Sequence, residues 1–92
     1  MAYVYILRCA DGSYYVGRTV NLRLRLDEHQ SGVGSNFTTT RRPVEMVYAE
    51  EHPTSAHARR RELQLKRWSR AKKEALITQD LALLKRRAAT GV

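Results

Sequence analysis

A chain of 92 residues carrying a net charge of +8 has room for one small domain, numbered 1–92, around a single modest core. Its 42% hydrophobic content argues against disorder, no apolar run reaches the length of a membrane span, and Met1 leads directly into a strand pattern rather than a signal peptide. The one cysteine, Cys9, can form neither an internal disulfide nor a zinc site by itself, so a reducing cytoplasm is the expected location.

Residues 3–9 alternate and are rich in β-branched and aromatic side chains, which predicts a strand. Residues 14–18, YYVGR, predict the returning strand of a hairpin. The turn between them decides which side chains share a face, because strand side chains alternate with period two. A two-residue loop would set Tyr5 and Tyr15 on opposite faces. A three-residue loop of Ala10, Asp11 and Gly12 pairs Cys9 with Ser13, puts both tyrosines on one face and gives Gly12 the left-handed position that glycine fills at least cost. That register is expected. Gly17, inside the second strand, suggests a close backbone approach.

Residues 21–31 contain an alternating LRLRL that looks like a strand. Asn21 is a good N-cap, however, Gly32 a good C-terminal stop, and Asp27–Gln30 poor strand material, so a helix is expected. It places Leu22, Arg25, Leu26 and His29 on one face. An arginine there suits a grip on phosphate, and a histidine can orient water or donate to a phosphate oxygen, although the pair can equally be a solvated helix edge. Residues 32–42 form a polar loop whose amides, hydroxyls and two arginines, Arg41 and Arg42, could hold phosphates or simply connect.

After Pro43, residues 44–50 predict a third strand. A helix capped by Thr54 or Ser55 is expected to run to about Trp68, with a further helix through 72–77 and a last helical stretch, 78–89, before a frayed terminus. Glu62 falls on a stripe with Ala58, Leu65 and Ser69, where a carboxylate is costly unless a cation meets it: a divalent ion, or an arginine in a salt bridge. His52 and His57 lack metal-ligand spacing and are expected at the surface. Cys9 is expected in the core, and Trp68 as an anchor of the C-terminal layer.

The charge is asymmetric. Residues 1–58 carry six basic and six acidic side chains, whereas residues 59–92 carry eleven basic and three acidic. Such a distribution indicates a polyanion partner or a solubilising helical face. No strongly apolar helical face accompanies the charge, which favours nucleic acid over membrane. Arg18, Arg41, Arg42, Lys66, Arg67, Arg70, Lys72 and Lys73 are the candidate contacts.

In sum, the chain resembles the GIY-YIG nuclease family. The first motif of that family corresponds to Tyr3-Val4-Tyr5 and the second to Tyr15-Val16-Gly17; Arg25 and His29 follow on the next helix at matching spacings, and Glu62 stands on a later one. Singly these are weak, but the ordered set over positions 3–62 is specific, and the chain looks like the small standalone bacterial members. The resemblance implies an α/β (α+β) fold, a small three-stranded antiparallel sheet flanked by helices with a basic helical C-terminus. It implies a catalytic core of about 1–77 and a helical extension of about 78–92.

The resemblance also implies an activity: metal-dependent hydrolysis of phosphodiester bonds in DNA, more than RNA, including single-stranded or damaged DNA in repair or recombination. Tyr5 would be the general base, helped by Tyr15; Arg25 would stabilise phosphate charge with His29 supporting. Glu62 would hold one Mg²⁺ or Mn²⁺ while water and phosphate supply the other ligands. A tyrosine base requires nearby cations, and Arg8, Arg18, Arg25 or the metal are the candidates. Two positions depart from the pattern. Tyr3 stands where many relatives have glycine, and Asn21 and Asn36, the only asparagines, both precede Glu62, so the downstream asparagine role would be empty or fall to Lys66 or Ser69. Two alternatives stand beside the enzyme: a non-catalytic nucleic-acid-binding module, and a nuclease subunit that depends on a protein partner for targeting.

Overall fold

The computed structural model describes the backbone of residues 1–89 and the side chains of residues 1–79. The elements run β1 (Ala2–Cys9), β2 (Tyr14–Thr19), α1 (Leu22–Ser31), α2 (Asn36–Thr39), β3 (Val44–His52), α3 (Ser55–Lys66) and α4 (Arg70–Ala89). The strands form an antiparallel sheet in the order β2-β1-β3. The expected α+β architecture is therefore present.

The central strand β1 explains why its sequence is apolar on both sides. Val4 and Ile6 face one layer, where Val16, Ala58 from α3, Leu65 from α3 and Ile77 from α4 close the larger core. Tyr5, Leu7 and Cys9 face the other layer, where Val44 and the α1 residues Leu22 and Leu26 cover them. Each large aliphatic side chain fully removed from water, such as Leu65, contributes about 1.5–3 kcal/mol. Trp68 packs on the first cluster, as expected of an anchor, and Cys9 is buried in the second, where burial pushes its thiol pKa up.

The hairpin has the three-residue loop. Cys9 donates its N–H to the Ser13 carbonyl at 2.9 Å, and Gly12 has φ +85°. Ile6 lies opposite Val16 and Leu7 opposite Tyr15, so Tyr5 and Tyr15 share a face. Helix α1 begins where Asn21 accepts the Leu24 N–H at 3.1 Å and ends at Gly32 in the left-handed region, φ +91°.

Four local expectations are corrected. The polar loop contains a short helix, α2, capped by Ser35, which accepts the Thr38 N–H at 3.2 Å. The helical stretches expected at 72–77 and 78–89 are one continuous helix, α4, which starts where Ser69 accepts the Lys72 N–H at 3.2 Å. Helix α3 ends at Lys66, short of the expected Trp68, while its cap is Thr54, one of the two residues expected. His52 is half-buried rather than superficial because Glu50, which it meets at 2.5 Å, is also held by Arg61 and Tyr48. His57 is exposed, as expected. The expectation of a frayed terminus falls partly on residues 90–92, outside the described residues.

Candidate active site

Tyr5 lies directly opposite Gly17 in the β1–β2 pair. A Cβ at position 17 would sit 2.4 Å from the Tyr5 hydroxyl oxygen and 2.6 Å from Cζ. The absent side chain is what lets the tyrosine ring lie across the edge strand β2. Any other residue there would push the ring off the sheet. Tyr5 is completely buried, and burial above all pushes its pKa up to about 12. The depressed value that a free tyrosine base needs is absent here; of the cations named from sequence, Arg25 alone reaches the hydroxyl, through Nε at 3.4 Å.

His29 is the second fully buried member. Its Nε2 is 2.8 Å from the Tyr5 hydroxyl, and its Nδ1 is 2.8 Å from Thr38 Oγ1. Burial first, then the neighbouring Arg25 charge, lowers its pKa, so the imidazole is neutral at pH 7. Tyr15 lies edge-on to His29 with centroids 5.0 Å apart and stacks on Phe37 at 6.0 Å. Its role in the geometry is to wall the histidine from solvent.

Arg25 is the partly exposed member. Besides Tyr5, it donates to the Gly34 carbonyl at 2.7 Å and pairs with Glu28 at 3.3 Å, leaving its side chain 28% exposed. Tyr5, Tyr15, Arg25 and His29 are therefore gathered on the α1 face of the sheet.

Glu62 approaches from the other side, on α3. Its side chain is 14% exposed, and its carboxylate meets Arg18 of β2 at 3.1 Å and Lys66, one turn along, at 3.3 Å. The cation anticipated from sequence is thus a strand arginine with a helix lysine. Glu62 is near enough to Tyr5 for its charge to add to the raised tyrosine pKa. Among the described residues no three His, Cys, Asp or Glu side chains cluster as a ready-made metal cage. A single carboxylate fits Mg²⁺ if water and phosphate fill the remaining positions.

The candidate nucleic-acid contacts divide. Lys66, Arg67, Arg70 and Lys72 are exposed and Lys73 half-buried on α3, α4 and the turn between them, with Arg18 beside them on β2. Arg70 also donates to the Gly12 carbonyl at 2.6 Å and lies over the Tyr14 ring, while Lys72 lies over Trp68. Arg41 and Arg42 belong to the opposite face, and their guanidinium groups tie down the loop itself. Arg41 bonds Asp11 at 3.1 Å and the Phe37 carbonyl at 2.9 Å; Arg42 bonds the Thr39 carbonyl at 3.0 Å and the Gln30 carbonyl at 3.3 Å.

Sequence reasoning missed Thr38, which meets the histidine, Gly34, which meets both the histidine and the arginine, and Ser35, which holds Thr38; these contacts come only from the folded loop. The one local signal was Ser35 at a cap position before Asn36–Thr39.

This combination, an α+β sheet with paired tyrosines, a helix-borne arginine and histidine, and a carboxylate at the sheet edge, defines a class. Residues 1–75 match the GIY-YIG catalytic domain, and the chain belongs to that family, a nuclease superfamily whose enzymes generally use a divalent metal and act on nucleic acid. Among its relatives are small UPF0213 proteins. The one from Bacillus pumilus is 47% identical over 75 residues, covering 82% of this chain and 76% of the relative. The one from Natronomonas pharaonis is 44% identical over 78 residues, covering 85% and 92%. The solution NMR structure of a UPF0213 protein from Bacillus halodurans is 41% identical, covers 86% of this chain and 85% of that one, and superposes with a TM-score of 0.56. Among the described residues, no helix is long and apolar enough to cross a membrane.

Proposed function

We propose that this protein is a metal-dependent endonuclease that hydrolyses phosphodiester bonds in DNA, with Tyr5, Tyr15, Arg25, His29 and Glu62 as its catalytic centre. The observation that carries this reading is the 2.8 Å contact between the Tyr5 hydroxyl and a buried, neutral His29. With burial pushing the Tyr5 pKa up to about 12, only roughly one molecule in 10⁵ holds a phenolate at pH 7 before metal and substrate bind, which disfavours a preformed phenolate base. A relay avoids that cost. Once substrate binding opens the Tyr5 hydroxyl to it, the attacking water would give its proton to the Tyr5 oxygen as the Tyr5 proton passes to His29 Nε2, and no phenolate accumulates.

Arg25 has the exposure to meet a phosphate oxygen and the charge to stabilise what develops there. Tyr15 excludes water from the imidazole. Glu62 would hold one Mg²⁺ or Mn²⁺, which supplies charge stabilisation at the phosphate. For that, Arg18 and Lys66 must release the carboxylate, and both are then free for the nucleic-acid backbone. The basic groups Arg67, Arg70, Lys72 and Lys73 would extend the track, and Arg41 and Arg42 would line the far side of the loop. We place the catalytic core at about 1–77, the rest of α4 being an extension, and the protein in the cytoplasm.

The test is cleavage of labelled single-stranded and duplex DNA in Mg²⁺, Mn²⁺ or EDTA. Wild type should cut only with metal. Tyr5→Phe should slow cutting by about 10²–10⁴-fold, the range of general acid–base catalysis. Glu62→Ala should abolish cutting while DNA binding persists. A second reading, a binding module or a subunit awaiting a protein partner, is favoured by the fully buried Tyr5 hydroxyl and by the two cations on Glu62. Salt-sensitive binding without cutting in any metal would decide for it.

A further inference from the structure

We propose that Thr38 is a positioning residue that fixes the tautomer of His29, with Ser35 as the next link in the same hydrogen-bond chain and Gly34 as the backstop of the ring. The inference rests on the Tyr5–His29 relay, and it concerns a loop to which no role had been assigned beyond holding phosphate.

The argument is a count of protons. The Tyr5 oxygen already accepts from Arg25 Nε at 3.4 Å, so its own proton must point elsewhere. Among the described residues His29 Nε2, at 2.8 Å, is the one acceptor within its reach. Tyr5 therefore donates, Nε2 accepts, and the proton of the neutral imidazole must sit on Nδ1. That proton needs an acceptor of its own, because the ring is completely buried and an unpaired N–H there costs about 1–3 kcal/mol. Thr38 Oγ1 lies 2.8 Å away, itself completely buried, and supplies it.

Thr38 can accept only if its hydroxyl proton goes on to a third group. Ser35 offers both its hydroxyl at 2.9 Å and its carbonyl at 3.4 Å. The Ser35 hydroxyl is in turn located by its cap bond to the Thr38 N–H at 3.2 Å. Helix α2, a single turn, thus holds one hydroxyl against one ring nitrogen. Gly34 completes the fit: a Cβ there would lie 2.3 Å from Nδ1 and 2.7 Å from the His29 Cα. The chain Tyr5–His29–Thr38–Ser35 runs one way, with the donors on Tyr5, His29 and Thr38 each meeting an acceptor. Reversing the imidazole tautomer would set Nε2–H against the tyrosine and remove the proton acceptor.

The test is the ¹⁵N chemical shifts of the His29 ring at neutral pH, which distinguish the two neutral tautomers directly and do not depend on activity. Wild type should show the proton on Nδ1. Thr38→Val, nearly the same shape without the hydroxyl, should move the ring toward the Nε2–H form and slow cleavage by about 10–100-fold, the usual cost of losing an orienting partner. Thr38→Ser should restore both. Wild type with the proton on Nε2 overturns the proposal without any variant, which covers the case in which Thr38→Val fails to fold. An unchanged ring in a folded Thr38→Val overturns it as well. Absence of cleavage by wild type would count against the nuclease reading and leave the tautomer measurement to decide this one.

Discussion

His29 carries most of the consequence at the scale of single residues. It is buried as a neutral ring, and its pKa lies below the ordinary 6.5 through burial and the Arg25 charge. The unfolded chain keeps the ordinary value, so above about pH 6.5 neither state takes up the proton and the favourable burial is intact. As pH falls below that value the unfolded state protonates first, and stability declines until the folded-state pKa is passed. Urea midpoints should therefore drop between pH 7.5 and pH 5.5, and the drop should shrink in His29→Gln. Equal slopes for the two proteins would mean that other groups carry the effect. The carboxylate of Glu50 is also held below its usual value, despite burial, by its bonds to Tyr48, His52 and Arg61, but it acts in a more acidic window.

The elements matter because each delivers one part of the site. Strand β1 brings Tyr5, strand β2 withholds a side chain at Gly17, helix α1 brings Arg25 and His29 one turn apart, and helix α3 brings Glu62. Helix α1 is short, with charged residues along much of its length, so its ends do more than its interior to hold it. Losing the Asn21 cap in Asn21→Ala should cost about 1 kcal/mol. For a domain of this size that lowers the thermal midpoint by about 4–8 °C. A calorimetric scan checks it, and an unchanged midpoint would show that packing of Leu22 and Leu26 alone secures the helix. The loop after α1 was legible as polar and little more, because a single-turn helix gives no periodicity to read.

For the molecule as a whole, the positive charge is gathered on the α3–α4 side of the sheet, and the tyrosine–histidine centre lies on the other. The edge strand β2 belongs to both, since Gly17 receives the Tyr5 ring and the next residue, Arg18, holds Glu62. A nucleic acid following the basic side would reach that edge. Binding should weaken with salt, and each phosphate contact should add about 0.9 to the slope of log affinity against log salt for duplex DNA. Replacing Lys72 and Lys73 with alanine should reduce the slope by roughly 2 between 50 and 200 mM salt, measured by fluorescence anisotropy. An unchanged slope would place the track elsewhere, on exposed Arg59 and Arg60.

By itself the sequence determined the three strands, the tyrosine register, the caps of α1 and the shared helix face of Arg25 and His29. Alternation, turn chemistry and helical spacing are local properties, and local properties can be read from neighbours in the chain. Only the tertiary structure decided that Tyr5 and His29 are bonded and shut away from water, that Arg18 of β2 is the arginine that meets Glu62, and that Arg41 and Arg42 are bonded to the loops and helix end around them. It also decided that Thr38 reaches the far side of the imidazole. The Tyr5–His29, Arg18–Glu62 and Thr38–His29 contacts join residues nine to forty-four positions apart, and burial, the first cause of the Tyr5 and His29 pKa shifts, exists only once the two layers have closed on the sheet.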